Sequence, residues 1–128
     1  MRASKSASLS GKGDLLLSRV RKLCLSLPET SEASSWGHPA FRAGKRTFVT
    51  FEHFEGVDTI AFHMHPFDVE DLQGRGGFTR TPYGQGRWVS LRIRPRPRWP
   101  DVEGLVLKSY RQVALKRMLL KLGKPDAI

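Results

Sequence analysis

The spacing of apolar residues switches from a helical period to a strand period and back, and this switching restricts the possible folds more than any other feature of the chain. From Asp14 to Leu27 the apolar positions are Leu16, Val20, Leu23, Cys24 and Leu27, one helical stripe with Arg19, Arg21 and Lys22 off it. Asp14 suits the positive end of a helix dipole, and Pro28 ends the run. Glu29–Ser35 is small and polar and reads as a loop. A first strand begins at Trp36–Phe41, with Trp36 capping the core, and Ala43-Gly44-Lys45-Arg46 reads as a hairpin turn. Thr47–Phe51 then alternates in a β-prone composition. After a turn within His53–Asp58, Thr59–His65 forms a third strand, with Ile60, Phe62 and Met64 on one face and Ala61, His63 and His65 on the other.

Pro66 opens a short acidic helix, Pro66–Gln73, at the position where a missing N–H costs nothing, and Gly74 ends it. Phe78–Thr81 is a short strand, Pro82–Gly86 is turn material, and Trp88–Arg94 is a final strand. Pro95 and Pro97 exclude a central strand beyond it. A last helix starts at Pro100 and Asp101, with an apolar stripe at Val102, Leu105, Val106, Tyr110 and Val113. Leu115, Met118, Leu119 and Leu122 form a second stripe, about 200° around a straight axis from the first. Either the helix breaks near Ala114–Lys116, or a straight helix packs its late stripe on a partner chain. Antiparallel hairpins with helices on one face define an α+β, two-layer sandwich.

The chain has 128 residues, the size of one domain. Residues 1–13, rich in Ser, Lys and Gly, read as a flexible tail, 14–122 as the single domain and 123–128 as a C-terminal tail. No apolar run reaches the ~20 residues of a membrane helix, and Leu15–Leu17 is too short for a signal-peptide core. A single cysteine excludes an internal disulfide and suits a cytoplasmic protein. Lys and Arg total 22 against 12 Asp and Glu, a net charge of +10 that favours an anionic partner, nucleic acid above all.

Several words occur in an order that resembles the MmcQ/YjbR-like family. They are Leu27-Pro28-Glu29, Trp36-Gly37-His38-Pro39-Ala40-Phe41, Phe48, Thr81-Pro82-Tyr83, Trp88-Val89-Ser90-Leu91 and Ser109-Tyr110-Arg111-Gln112-Val113-Ala114. The likeness runs from about Asp14 to about Lys116. It implies an α-β(3)-α-β(2)-α order, the double wing, similar to frataxin-like (CyaY-like) and secretion-chaperone-like sandwiches, and a DNA-binding role by analogy of fold. This sequence departs from the family where His63 and His65 stand in place of a lysine, and in the leucine-rich end Leu115–Leu122.

From Leu72 to Pro100 there is no Asp or Glu, but there are seven arginines: Arg75, Arg80, Arg87, Arg92, Arg94, Arg96 and Arg98. The guanidinium fork matches phosphate oxygens and stays charged. Val89, Leu91 and Ile93 form the apolar face of the last strand, so Trp88, Ser90, Arg92 and Arg94 share the opposite one. An indole beside guanidiniums on an open sheet face is a way to build a nucleic-acid surface. Arg94-Pro95-Arg96-Pro97-Arg98 continues as a stiff basic arm. The alternative is a solvated, charged edge that resists aggregation. His63 and His65, two apart on a strand, lack a third ligand, and Cys24 on its apolar stripe reads as core. No metal, cofactor or nucleophile–base pair is indicated. The expectation is a non-enzymatic protein that binds nucleic acid, duplex DNA with little sequence preference, through Arg75, Arg80, Arg87, Trp88, Arg92, Arg94, Arg96 and Arg98. The alternative expectation is an interaction module or homodimer through Leu115, Met118, Leu119 and Leu122.

Overall fold

The computed structural model describes residues 11–54, 56–82, 84–93 and 98–123. Helix α1 spans Gly11–Leu25; strands β1 Thr30–Ser35, β2 His38–Ala43, β3 Arg46–Phe54 and β4 Val57–His63 follow. Helix α2 is Pro66–Gln73, strands β5 and β6 are Phe78–Arg80 and Trp88–Arg92, and helices α3 and α4 are Trp99–Val113 and Lys116–Gly123. The strands form one six-stranded antiparallel sheet in the order β1-β2-β3-β4-β6-β5. Helices pack on the sheet, the α+β sandwich expected. No helix among the described residues is long and apolar enough to cross a membrane.

One layer of the core comes from Leu17, Val20 and Cys24 of α1 and Val102, Val106, Tyr110 and Val113 of α3, all buried. They meet Phe41, Val49, Phe51, Ile60, Phe62 and Val89, the helix-facing residues of the sheet. Between Phe41 and Arg42 the β2–β3 register shifts by one residue, a bulge that leaves both Phe48 and Val49 fully buried despite their adjacency. Phe48 meets Tyr110 edge-to-face at 5.6 Å. The Tyr110 hydroxyl donates to the Pro28 carbonyl at 2.7 Å, which satisfies the one polar atom of an otherwise apolar side chain.

Four expectations need correction. Thr30–Ser35 is not a loop but edge strand β1, aligned residue for residue with β2 and tied to α1 by a two-pronged Arg21–Glu32 pair at 2.6 and 3.0 Å. Its order is therefore four strands before α2, not three. Trp36 does not cap the core. It sits at the tip of the β1–β2 hairpin, 95% exposed, with positive φ at Trp36 and Gly37, the signature of a two-residue primed turn. The first helix begins at Gly11, so part of the expected tail is helical; residues 1–10 and 124–128 lie outside the described set. The fourth correction concerns the strand ends: β4 stops at His63, and His65 instead caps α2, its Nδ1 accepting from Phe67 N at 3.1 Å.

The late leucine stripe belongs to a broken helix. Ala114 is extended (φ −67°, ψ 147°), and α4 turns away from α3 there. Met118 is fully buried, Leu119 and Leu122 pack against the core, and Leu115 is the exposed member of the stripe. Gly44, in the β2–β3 turn at φ +61°, leaves room for Met118: a Cβ there would come 2.9 Å from its methyl carbon. Glu29 anchors α4 by accepting from Arg117 at 2.7 and 3.0 Å and from Lys121 at 3.0 Å. Those hydrogen bonds lower its carboxyl pKa to about 2. This anchor is complete above the ordinary glutamate range and fails as pH falls toward that value.

Candidate nucleic-acid interface

In an antiparallel sheet, directly paired residues point to the same face, so register decides what the side away from the helices carries. Ala33 pairs with Ala40, Ala40 with Thr50, Thr50 with Ala61, Ala61 with Ser90, and Ser90 with Thr79. One row of small side chains therefore crosses all six strands, about 24 Å at the usual strand spacing. Ala40, Thr50, Ala61 and Ser90 are buried although they lie on this side. Bulkier neighbours rise on both sides of the row. Arg92, paired with Thr59, and Glu52 stand along one side. Arg42, paired with Ser31 and Thr47, and the His63–Trp88 pair stand along the other. The open face is a shallow transverse trough with a floor of methyls and hydroxyls.

Trp88 and His63 meet edge-to-face at 5.4 Å, and Gly84, at positive φ, lies so close to the indole that a Cβ would collide with it. The loop before β6 thus fixes the ring against the trough wall while leaving it half-exposed. Arg46, at the start of β3, and Arg87, leading into β6, stand near enough to His63 for their charges to lower its pKa, after the larger effect of burial. Arg42, Arg46, Arg87 and Arg92 are exposed, and among the described residues none of the four is paired with a carboxylate. Arg42 donates to the Lys45 carbonyl at 3.2 Å. Among the described residues the acid on this face is Glu52, which accepts from the Thr50 hydroxyl at 3.2 Å.

Of the residues singled out in the sequence, the structure brings Trp88 and Arg92 to this surface, and Arg87, which leads into β6, lies at its end near His63. Arg80 leaves β5 toward the opposite face and lies against Gly86. Arg75 pairs with Asp71 at 3.2 Å and Arg98 with Asp101 at 3.0 Å, each within one helical turn. Arg94 and Arg96 lie outside the described residues. Arg42 and Arg46 were missed, as was the small-residue row, because they belong to the surface only through pairing between strands distant in sequence. Cys24 is fully buried, and burial pushes its thiol pKa far up, as a packing residue requires. Among the described residues no group of three metal-ligating side chains lies together.

Two solved structures share this architecture. The Deinococcus radiodurans protein DR2400, with a DUF419 domain, is 18% identical and aligns over 88% of this chain and 91% of its own, with a TM-score of 0.69. A Pseudomonas syringae protein solved by structural genomics is 15% identical over 66% of this chain and 87% of its own, with a TM-score of 0.55. At these identities the likeness is one of fold. No curated protein matches the sequence. The family model named YjbR matches residues 25–112, from the end of α1 through most of α3 and including every strand of the sheet. With that match covering well over half of its length, the chain belongs to the YjbR family.

Proposed function

We propose that this chain is a non-enzymatic nucleic-acid-binding protein that takes duplex DNA with little sequence preference on the open face of its sheet. The observation that carries the reading is a set of four exposed arginines with no carboxylate partner among the described residues: Arg42 and Arg92 on the open face with Trp88, and Arg46 and Arg87 at strand starts near His63. Guanidiniums held by a rigid sheet meet phosphate oxygens at little entropic cost, and the overall charge of +10 steers a polyanion toward them. Contacts to the backbone position a duplex without reading its bases, which accounts for low specificity. The aromatic ring adds a surface for a base or sugar at the trough wall.

Four phosphate contacts predict a log–log slope of affinity against salt of about −4. Fluorescence anisotropy of a labelled mixed-sequence duplex, titrated with the full chain across salt concentrations, reads that slope. An absence of binding at low salt, or a slope near zero, contradicts the proposal.

A further inference from the structure

We propose that the outer edge of strand β1 is an interface for a second copy of this chain, which pairs its own β1 antiparallel to the first about a two-fold axis at Ala33. The proposal goes beyond the nucleic-acid reading and does not rest on it. Parity along the strand fixes which backbone groups are free. Gly44 N donates to the Glu29 carbonyl at 3.0 Å, and the β1–β2 register continues without a shift to Ser35 and His38. Ser31, Ala33 and Ser35 therefore turn their amides and carbonyls toward β2, and Glu32 and Ser34 turn theirs outward. β1 is the first strand of the sheet, and among the described residues no backbone group bonds to that outer side. Glu32 and Ser34 are exposed residues although their side chains take the helix side, so α1 does not overhang the edge.

The two edges of the sheet are built differently. β5, at the far edge, is three residues long, ends on Arg80 and is soon followed by Pro82, devices that stop a sheet from growing. β1 has six residues and carries no lysine, arginine, proline or bulge. Its one charge, Glu32, is held by Arg21. Self-complementarity selects a second copy over any other strand. The outward groups lie symmetrically about Ala33, so an antiparallel copy centred there pairs Glu32 with the partner's Ser34, and Ser34 with the partner's Glu32, through both backbone hydrogen bonds each time. Ala33 then faces the partner's Ala33, Ser31 faces the partner's Ser35, and no like charges are opposed. Thr30 faces the partner's Trp36, the indole left 95% exposed at the end of this same strand. Because directly paired residues share a face, the two open faces lie on one side, and their small-residue rows join through Ala33 into one of about 50 Å. The charge of +10 on each copy opposes the approach, so association tightens as salt screens it, the reverse of the salt effect on duplex binding.

Sedimentation of the full chain at about 100 µM, without nucleic acid, is expected to show a species of twice its 14.5 kDa, in greater proportion at about 300 mM salt than at about 50 mM. Ser34→Pro removes one outward N–H from each copy while leaving the ladder to β2 intact, and is expected to weaken association about thirtyfold. Ala33→Cys reads the register. Across the two-fold axis its Cα atoms stand about 4.5 Å apart, within disulfide reach, whereas those of two Ser31→Cys copies lie about 13 Å apart along the strands. Oxidation with copper–phenanthroline is expected to cross-link Ala33→Cys and not Ser31→Cys, with buried Cys24 inert in both. A monomer at every salt concentration overturns the proposal. So does a dimer that Ser34→Pro leaves unchanged, or one in which Ser31→Cys cross-links as readily as Ala33→Cys. If Ser34→Pro fails to fold by circular dichroism, the two cysteine variants decide. A failure of duplex binding leaves this result untouched, because no nucleic acid is present.

Discussion

Tyr110→Ala is expected to lower the melting temperature by about 15 °C in a thermal denaturation followed by circular dichroism. The side chain is fully buried, lies edge-to-face on Phe48, and joins α3 to the end of the first loop through Pro28. Truncating a large buried aromatic costs about 4 kcal/mol, because transfer energy and the cavity left behind add together. In a domain of this size each kcal/mol shifts the transition by about 3–4 °C. Tyr110→Phe separates the two contributions. It keeps the ring and the Phe48 contact but leaves the Pro28 carbonyl without its donor, so a loss of about 1 kcal/mol is expected. A Tyr110→Ala protein melting within a few degrees of wild type would mean that α3 is not seated on the sheet as described.

The second large effect concerns binding. Arg42 and Arg92 stand on opposite sides of the small-residue row, are exposed, and are free of carboxylate partners among the described residues. Replacing both with alanine removes two of four phosphate contacts and touches no core residue. Duplex affinity at low salt is expected to fall about thirtyfold, equivalent to about 2 kcal/mol, and the salt slope to flatten from about −4 to about −2. The comparison is Arg75→Ala with Arg98→Ala. Those two arginines carry the same formal charge but lie beside Asp71 and Asp101, away from the trough. They contribute to the general field and not to a fixed contact, so a loss of only a few-fold is expected. Equal losses in the two double variants would show that net charge, and not the open face, holds the nucleic acid.

The contrast between these pairs reflects what local pattern carries and what it does not. Period-two alternation on β6 correctly placed Trp88, Ser90 and Arg92 on one face, since each residue's face follows from its neighbours in the strand. Pro66 and the switch back to a helical period likewise located α2. Edge strand β1 was not legible because Thr-Ser-Glu-Ala-Ser-Ser has neither alternation nor β-branched content, apart from Thr30, and is held by pairing to β2 and by Arg21–Glu32. The primed turn at Trp36-Gly37 hides behind an aromatic where asparagine is usual. The offset of the last stripe pointed to either a break or a partner. The break is held in part by Glu29, far away in sequence, which pairs with Arg117 and Lys121 on the surface of α4. The Asp71–Arg75 and Arg98–Asp101 spacings, four and three residues, did carry the signal that those arginines are answered locally. The trough was invisible in principle, for its row joins six strands whose alignment exists only once the sheet has formed.

Alanine methyl groups report directly on which face meets the ligand. Ala33, Ala40 and Ala61 point into the trough, whereas Ala43 is buried on the helix side and Ala114 lies between α3 and α4. In protein labelled at its alanine methyls and titrated with an unlabelled duplex, the signals of Ala33, Ala40 and Ala61 are expected to shift progressively while those of Ala43 and Ala114 stay in place. Shifts confined to Ala43 and Ala114, or none at a duplex concentration that saturates the anisotropy signal, would contradict binding on the open face of the sheet.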